Sequence, residues 1–221
     1  MFGSSQATPR IRADWSIPGT VNTRADQSLE VSARPASTKS MTDFRFEFEW
    51  VDPLGARGPE LRATWARLAI WIDSQCVSRV LDQEVKAVRD AVYVPLYPIA
   101  EWLATHWWSL LVEVHSPNRL ADPSYAERHS FRTAREGFAL PHIDFASGGD
   151  HVRIQWHREV LPNCRVEFIE EGTAHIPAET LRRNFATFIT AVIDRLESEG
   201  IKDTPLQDEW TALQRATIPS S

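Results

Sequence analysis

Residues 44–50 read Phe-Arg-Phe-Glu-Phe-Glu-Trp, and no other feature restricts the fold of this chain so strongly. In an extended backbone Phe44, Phe46, Phe48 and Trp50 fall on one face, with Arg45, Glu47 and Glu49 on the other. A helix would scatter those aromatics around its circumference. The segment is therefore expected to be a strand with one buried face, and it needs sheet neighbours and a covering layer.

Downstream segments supply both. "TWARLAIWIDSQCVSRVLD" at 64–82 reads as a hairpin: Leu68, Ile70 and Ile72 share a face, "DSQ" turns the chain, and Cys76 to Leu81 returns. "AVYVPL" is a short extended piece that Pro95 confines to a strand end or edge. "LPHIDF", "SGGD" and "HVRIQWHREV" read as a second hairpin, with Val152, Ile154 and Trp156 alternating with Arg153, Gln155 and His157. "CRVEFIEEG" adds a further strand through Val166 and Phe168.

Helical periodicity marks the remainder. From Pro98, the residues Ile99, Leu103, His106, Trp107, Leu110, Leu111 and Val114 form one apolar face, with Trp102 at its edge and Trp108 and Glu101 pointing elsewhere. A second, more polar helix is expected from an Asp122 N-cap and Pro123 to a stop at Gly137. A third carries Leu181, Phe185, Phe188, Ile189, Val192 and Leu196 on one side and ends at Gly200. A last one opens at Thr204 with Gln207 in capping-box spacing and Pro205 at its first position.

Strands grouped in hairpins, rather than alternating with helices, predict an α+β fold: an antiparallel sheet covered by three to four helices. The expected division is a tail or linker over 1–40, one domain over 41–216 and a short tail over 217–221. Residues 1–40 are rich in Ser, Thr, Ala, Arg and Pro, with isolated apolar residues that bury too little to offset chain entropy.

Charge and cysteine content limit the function. The formal net charge is −6, and because residues 1–40 carry +2 the remainder carries −8. Binding of nucleic acid through a phosphate-neutralising surface is not expected of such a body. Apolar runs fall well short of the ~20 residues that span a bilayer, and "MFGSSQATPR" lacks a signal-peptide core. Cys76 and Cys164, the two cysteines present, make no disulfide framework, and a cytoplasmic setting is the expectation. A nucleophilic role is expected of neither thiol.

No phosphate loop, dinucleotide fingerprint, nucleophile elbow or HExxH zinc helix occurs. No catalytic residue and no cofactor are assigned. What remains is three looser sets. Trp102, His106, Trp108 and Glu113 could bracket a small ligand in an aromatic pocket, with a poised imidazole and carboxylate available for acid–base work. Arg128, His129, Arg132 and Arg135 could form a stripe for phosphate or an acidic partner. His142 and Asp144 share a strand face, and His151 and His157 share one on the next strand. Those four would suit a first-row metal if the register brought them together. No local spacing enforces that convergence, so no metal site is assigned.

"VYVPLYPIAEWLATHWWSLLVEV" at 92–114, "RHSFRTAREGFALPHIDF" at 128–145 and "TPLQDEWTALQ" at 204–214 together resemble the N-terminal region of a group of bacterial proteins. Some members of that group continue into a metallopeptidase domain of the ImmA/IrrE type. The resemblance spans roughly residues 43–215 and carries over no catalytic residue, because HExxH is missing. It implies a recognition domain of a regulatory, stress-response or defence system, standing alone or truncated. The leading expectation is thus a non-enzymatic interaction domain with a protein partner, contacted through Trp50, Trp71 or Trp108. The alternative is a small-molecule-binding domain or enzyme that uses His106 and Glu113.

Overall fold

The alternating aromatic segment becomes β1 (Phe44–Trp50). In the computed structural model the described residues are 43–53, 58–119, 122–131, 138–161, 164–202 and 204–215. The expectations for residues 1–40 and 217–221 lie outside them. The described residues, within 43–215, group as one compact unit.

After β1 come a short helix α1 (Pro59–Ala63), β2 (Trp65–Ile72), β3 (Gln75–Cys76), β4 (Val80–Asp82), β5 (Ala87–Arg89) and β6 (Val92–Pro95). The helix α2 (Tyr97–Leu111) follows, then α3 (Pro123–His129), β7 (Ser130–Phe131), β8 (His142–Ser147) and β9 (His151–His157). The chain closes with β10 (Glu159–Leu161), β11 (Val166–Phe168), β12 (Gly172–Pro177), α4 (Ala178–Ser198) and α5 (Thr204–Arg215).

The fold is α+β, as the sequence pattern predicts, with the described strands in three antiparallel four-stranded sheets. In the first, β1 lies on one side of β2 and β3 and β6 on the other. The second runs β10-β11-β4-β5 and the third β12-β9-β8-β7. The expected hairpin at 64–82 is split. Asp73 and Ser74 both adopt positive φ, as a two-residue primed turn requires, but pairing with β2 ends at Cys76. Ser78 Oγ then accepts the Ile70 N–H and donates to the Asp90 carbonyl, and the chain leaves for the second sheet.

Apolar faces meet between the sheets and α2 and α4. Phe44 packs edge-on against Phe185 at 5.7 Å and lies 6.5 Å from Phe145, while Trp102 lies 5.1 Å from Phe131. Every apolar residue expected on the buried face of α4 is buried. In α2 the expectation is partly corrected. Trp102 is 3% exposed and belongs to the core, whereas Trp107 is only half-buried. Helix α2 ends at Leu111, whose carbonyl takes the Ser147 hydroxyl, so Val114 lies beyond it and is 70% exposed. Helix α3 is also shorter than expected. Asp122 caps it by accepting the Ser124 N–H, but the chain turns extended at Ser130, before the anticipated Gly137.

Gly172, at the start of β12, sits directly against the Trp156 indole: a Cβ there would lie 2.5 Å from a ring carbon. Trp156 is buried and cannot swing aside. Gly172→Ala is expected to cost about 1–3 kcal/mol by overpacking, read as a lowered denaturation midpoint. A smaller loss would mean that the strand can shift away from the ring.

Candidate functional site

Alternation along β8 and β9 gives the third sheet one apolar face and one polar face. Ile143, Phe145, Val152, Ile154 and Trp156 enter the core. His142, Asp144, Gln155 and His157 occupy the opposite face, half-buried. The register places His142 directly opposite His157 and Asp144 opposite Gln155, and β7 places Ser130 opposite Asp144.

Asp144 is the centre of this group. His142 Nε2 lies 3.1 Å from its Oδ1 and His157 Nε2 lies 2.8 Å from its Oδ2. Ser130 Oγ donates to Oδ1 and stands 3.0 Å from His142 Nε2. The two imidazole rings are 4.6 Å apart. Burial pushes the Asp144 carboxyl pKa up, but hydrogen bonds from His142, Ser130 and His157 and the nearby His142 charge outweigh it. The carboxyl is held well below the usual carboxylate range.

This arrangement is not a Ser-His-Asp relay. In a relay one imidazole nitrogen faces the hydroxyl and the other the carboxylate. Here Ser130 and Asp144 both meet His142 at Nε2. It does resemble a ligand set. One donor atom each from His142, Asp144 and His157 lie within 4.8 Å of one another. Two ligands bonded at about 2.1 Å to a tetrahedral ion stand roughly 3.4 Å apart, close to the spacing already present.

His151 does not join them. It is six residues from His157, roughly 20 Å along an extended strand at about 3.4 Å per residue, and pairs with Asp150 at 3.1 Å. Nothing local in the sequence ties these residues together. The hairpin register does so for three of the four. Ser130, the added member, falls inside the helix expected over 122–137, so nothing local in the sequence marks it as part of this group.

The aromatic set expected around His106 does not form one pocket. Trp102 and His106 stack at 5.1 Å, and His106 Nδ1–H donates to the Trp102 carbonyl at 2.8 Å. Trp108 is 56% exposed and meets Trp107 edge-on. Glu113 is drawn away, because the helix ends before it. It accepts from Arg119 at 3.3 Å and faces Arg128 at 3.7 Å.

The expected basic stripe is described only in part. Arg132 and Arg135 lie outside the described residues. Arg128 stands over the Tyr125 ring as well as facing Glu113. His129 is 2% exposed, not a surface group. Its Nδ1–H donates to the Tyr125 carbonyl, and its Nε2, without a hydrogen-bond partner among the described residues, lies 3.9 Å from Glu113 Oε2. His115 lies beside this group, 5.8 Å from the His129 ring.

The thiols offer no nucleophile. Burial raises the pKa of both Cys76 and Cys164, and Cys76 Sγ donates to the Asp90 carbonyl. Among the described residues no helix is long and apolar enough to cross a membrane. No protein-family model, curated protein or solved structure matches the chain.

Proposed function

We propose that this chain is a metal-dependent, ligand-binding domain, in which His142, Asp144 and His157 hold a first-row divalent ion on the polar face of the third sheet. The convergence of two Nε2 atoms and one carboxylate carries the reading. Two imidazoles and one carboxylate suit zinc, iron, cobalt or nickel and leave coordination positions for an outside group. A bound ion would take the nitrogen lone pairs, so each Nε2 proton now shared with Asp144 must leave.

The test is titration of the full chain with Co(II), followed by visible absorption and calorimetry. One equivalent is expected to bind, and His157→Ala is expected to lower the affinity at least tenfold. His151→Ala, which alters a histidine of the same strand outside the cluster, is expected to leave it unchanged. Equal loss in both variants, or no binding to the unaltered chain, would overturn the reading.

A second reading rests on the exposed apolar side chains Trp108 and Val114 at the end of α2. Under it the chain is a cytoplasmic interaction domain of a bacterial regulatory system. It follows the expectation of partner contact through exposed tryptophan.

A further inference from the structure

The register that gathers the proposed ligands also fixes what lies next to them. Arg153 is two residues before Gln155 on β9, so its side chain emerges on the face that carries Asp144 and His157. It is the diagonal neighbour of Asp144, about 7–8 Å away by backbone spacing. Between them, directly opposite Arg153, the sheet carries only Ala146, whose small side chain leaves the floor low. On the other flank His175 of β12 pairs with Arg153 and is also exposed.

Arg153 is exposed and forms no ion pair or side-chain hydrogen bond among the described residues. Its neighbours on this face leave it free: Asp144 is engaged by His142, His157 and Ser130. Glu113, which lies 3.9 Å from His129, is held by Arg119 and Arg128. His115 stands at the rim of the same space. Its backbone N–H donates to Ser147 at the end of β8. Its pKa is lowered first by burial, then by the charges of His129 and Arg153, while Asp144 acts in the opposite direction. One imidazole thus feels both Arg153 and Asp144.

We infer that the floor over Ala146 is an oxyanion subsite, where a carboxylate or phosphate group of the ligand bridges the metal ion held by His142, Asp144 and His157 and the guanidinium of Arg153. This rests on the metal reading above. A divalent ion with one carboxylate keeps a local charge of +1, and Arg153 adds another, so the pair selects an anion. The planar guanidinium offers two parallel N–H donors to two oxygens of the anion; a phosphate keeps a further oxygen for the metal, and a carboxylate oxygen keeps a second lone pair for it.

The probes are inorganic phosphate and acetate, titrated into the Co(II)-loaded full chain and followed by the cobalt absorption bands. At least one of them is expected to shift the bands saturably, and phosphate alone or acetate alone identifies the group preferred. Arg153→Ala is expected to form the cobalt complex but to lose at least tenfold in anion affinity, with Arg153→Lys between the two. Cobalt binding without any anion response would overturn this inference and leave the metal reading standing. So would an anion affinity unchanged in Arg153→Ala, which would assign the response to the metal alone. Absence of cobalt binding would overturn both.

Discussion

Phe185→Ala is expected to destabilise the protein by about 3–5 kcal/mol. Phe185 is fully buried on α4 and meets Phe44 of the first sheet and Phe145 of the third. The ring therefore fills the junction where both sheets are covered by one helix. Its removal loses the transfer free energy of the side chain and leaves a cavity with rigid walls, because Phe44 is also fixed by a hydrogen bond from Asn184 Nδ2 to its carbonyl. Denaturant titration should show a lower midpoint with an unchanged slope. Trp108→Ala removes a larger ring but an exposed one, and should stay within about 0.5 kcal/mol. Comparable losses in the two variants would mean that the junction collapses around the missing ring or that Trp108 is covered in solution.

These two side chains also show what the sequence could specify. The faces of β1 and α4 were legible because a period of two or 3.6 residues is a local property, and one side of each element had to be buried. Element ends were less legible. Val114 continues the apolar spacing of α2, but the Ser147 hydroxyl, far along the chain, takes the Leu111 carbonyl and helps to close the helix. Helix α3 has its expected cap at Asp122, yet Ser130 pairs with Asp144 and is pulled into a sheet.

The site depends on still less local information. Alternation places His142 and Asp144 on one strand face and His151 and His157 on another, but only the register selects which pairs meet. Gly148 N–H donates to the His151 carbonyl and closes the β8–β9 turn, so that Ser147 faces Val152 and His142 faces His157. A slip of one residue would reverse one strand's faces and send its polar groups into the core. The turn thus determines the ligand set as firmly as the ligands' own identities do. The same holds for Glu113 and His106, two turns apart on an uninterrupted helix but separated here by the end of α2.

Asp144→Asn should expose how much of this region depends on one carboxylate. Both Asp144 oxygens accept hydrogen bonds, from His142 and Ser130 on one side and His157 on the other. An asparagine amide offers one accepting oxygen and turns its NH₂ group toward a donor on the other side, so the metal-free variant should lose roughly 1–3 kcal/mol. The acid response should change with it. The folded pKa of Asp144 is depressed, so its contribution is fully present above the unfolded carboxyl value of about 3.9 and is lost as pH falls through the lower folded value. Denaturation midpoints measured from pH 7 down to pH 2 should therefore fall more steeply in the unaltered chain than in the variant, and the two curves should approach each other in acid. Cobalt affinity should drop by at least two orders of magnitude, because a neutral amide replaces the one anionic ligand. Parallel stability curves would separate Asp144 from the acid response. Retained cobalt binding with converging curves would instead make it a structural acceptor for the two imidazoles, and the metal would have to be held elsewhere.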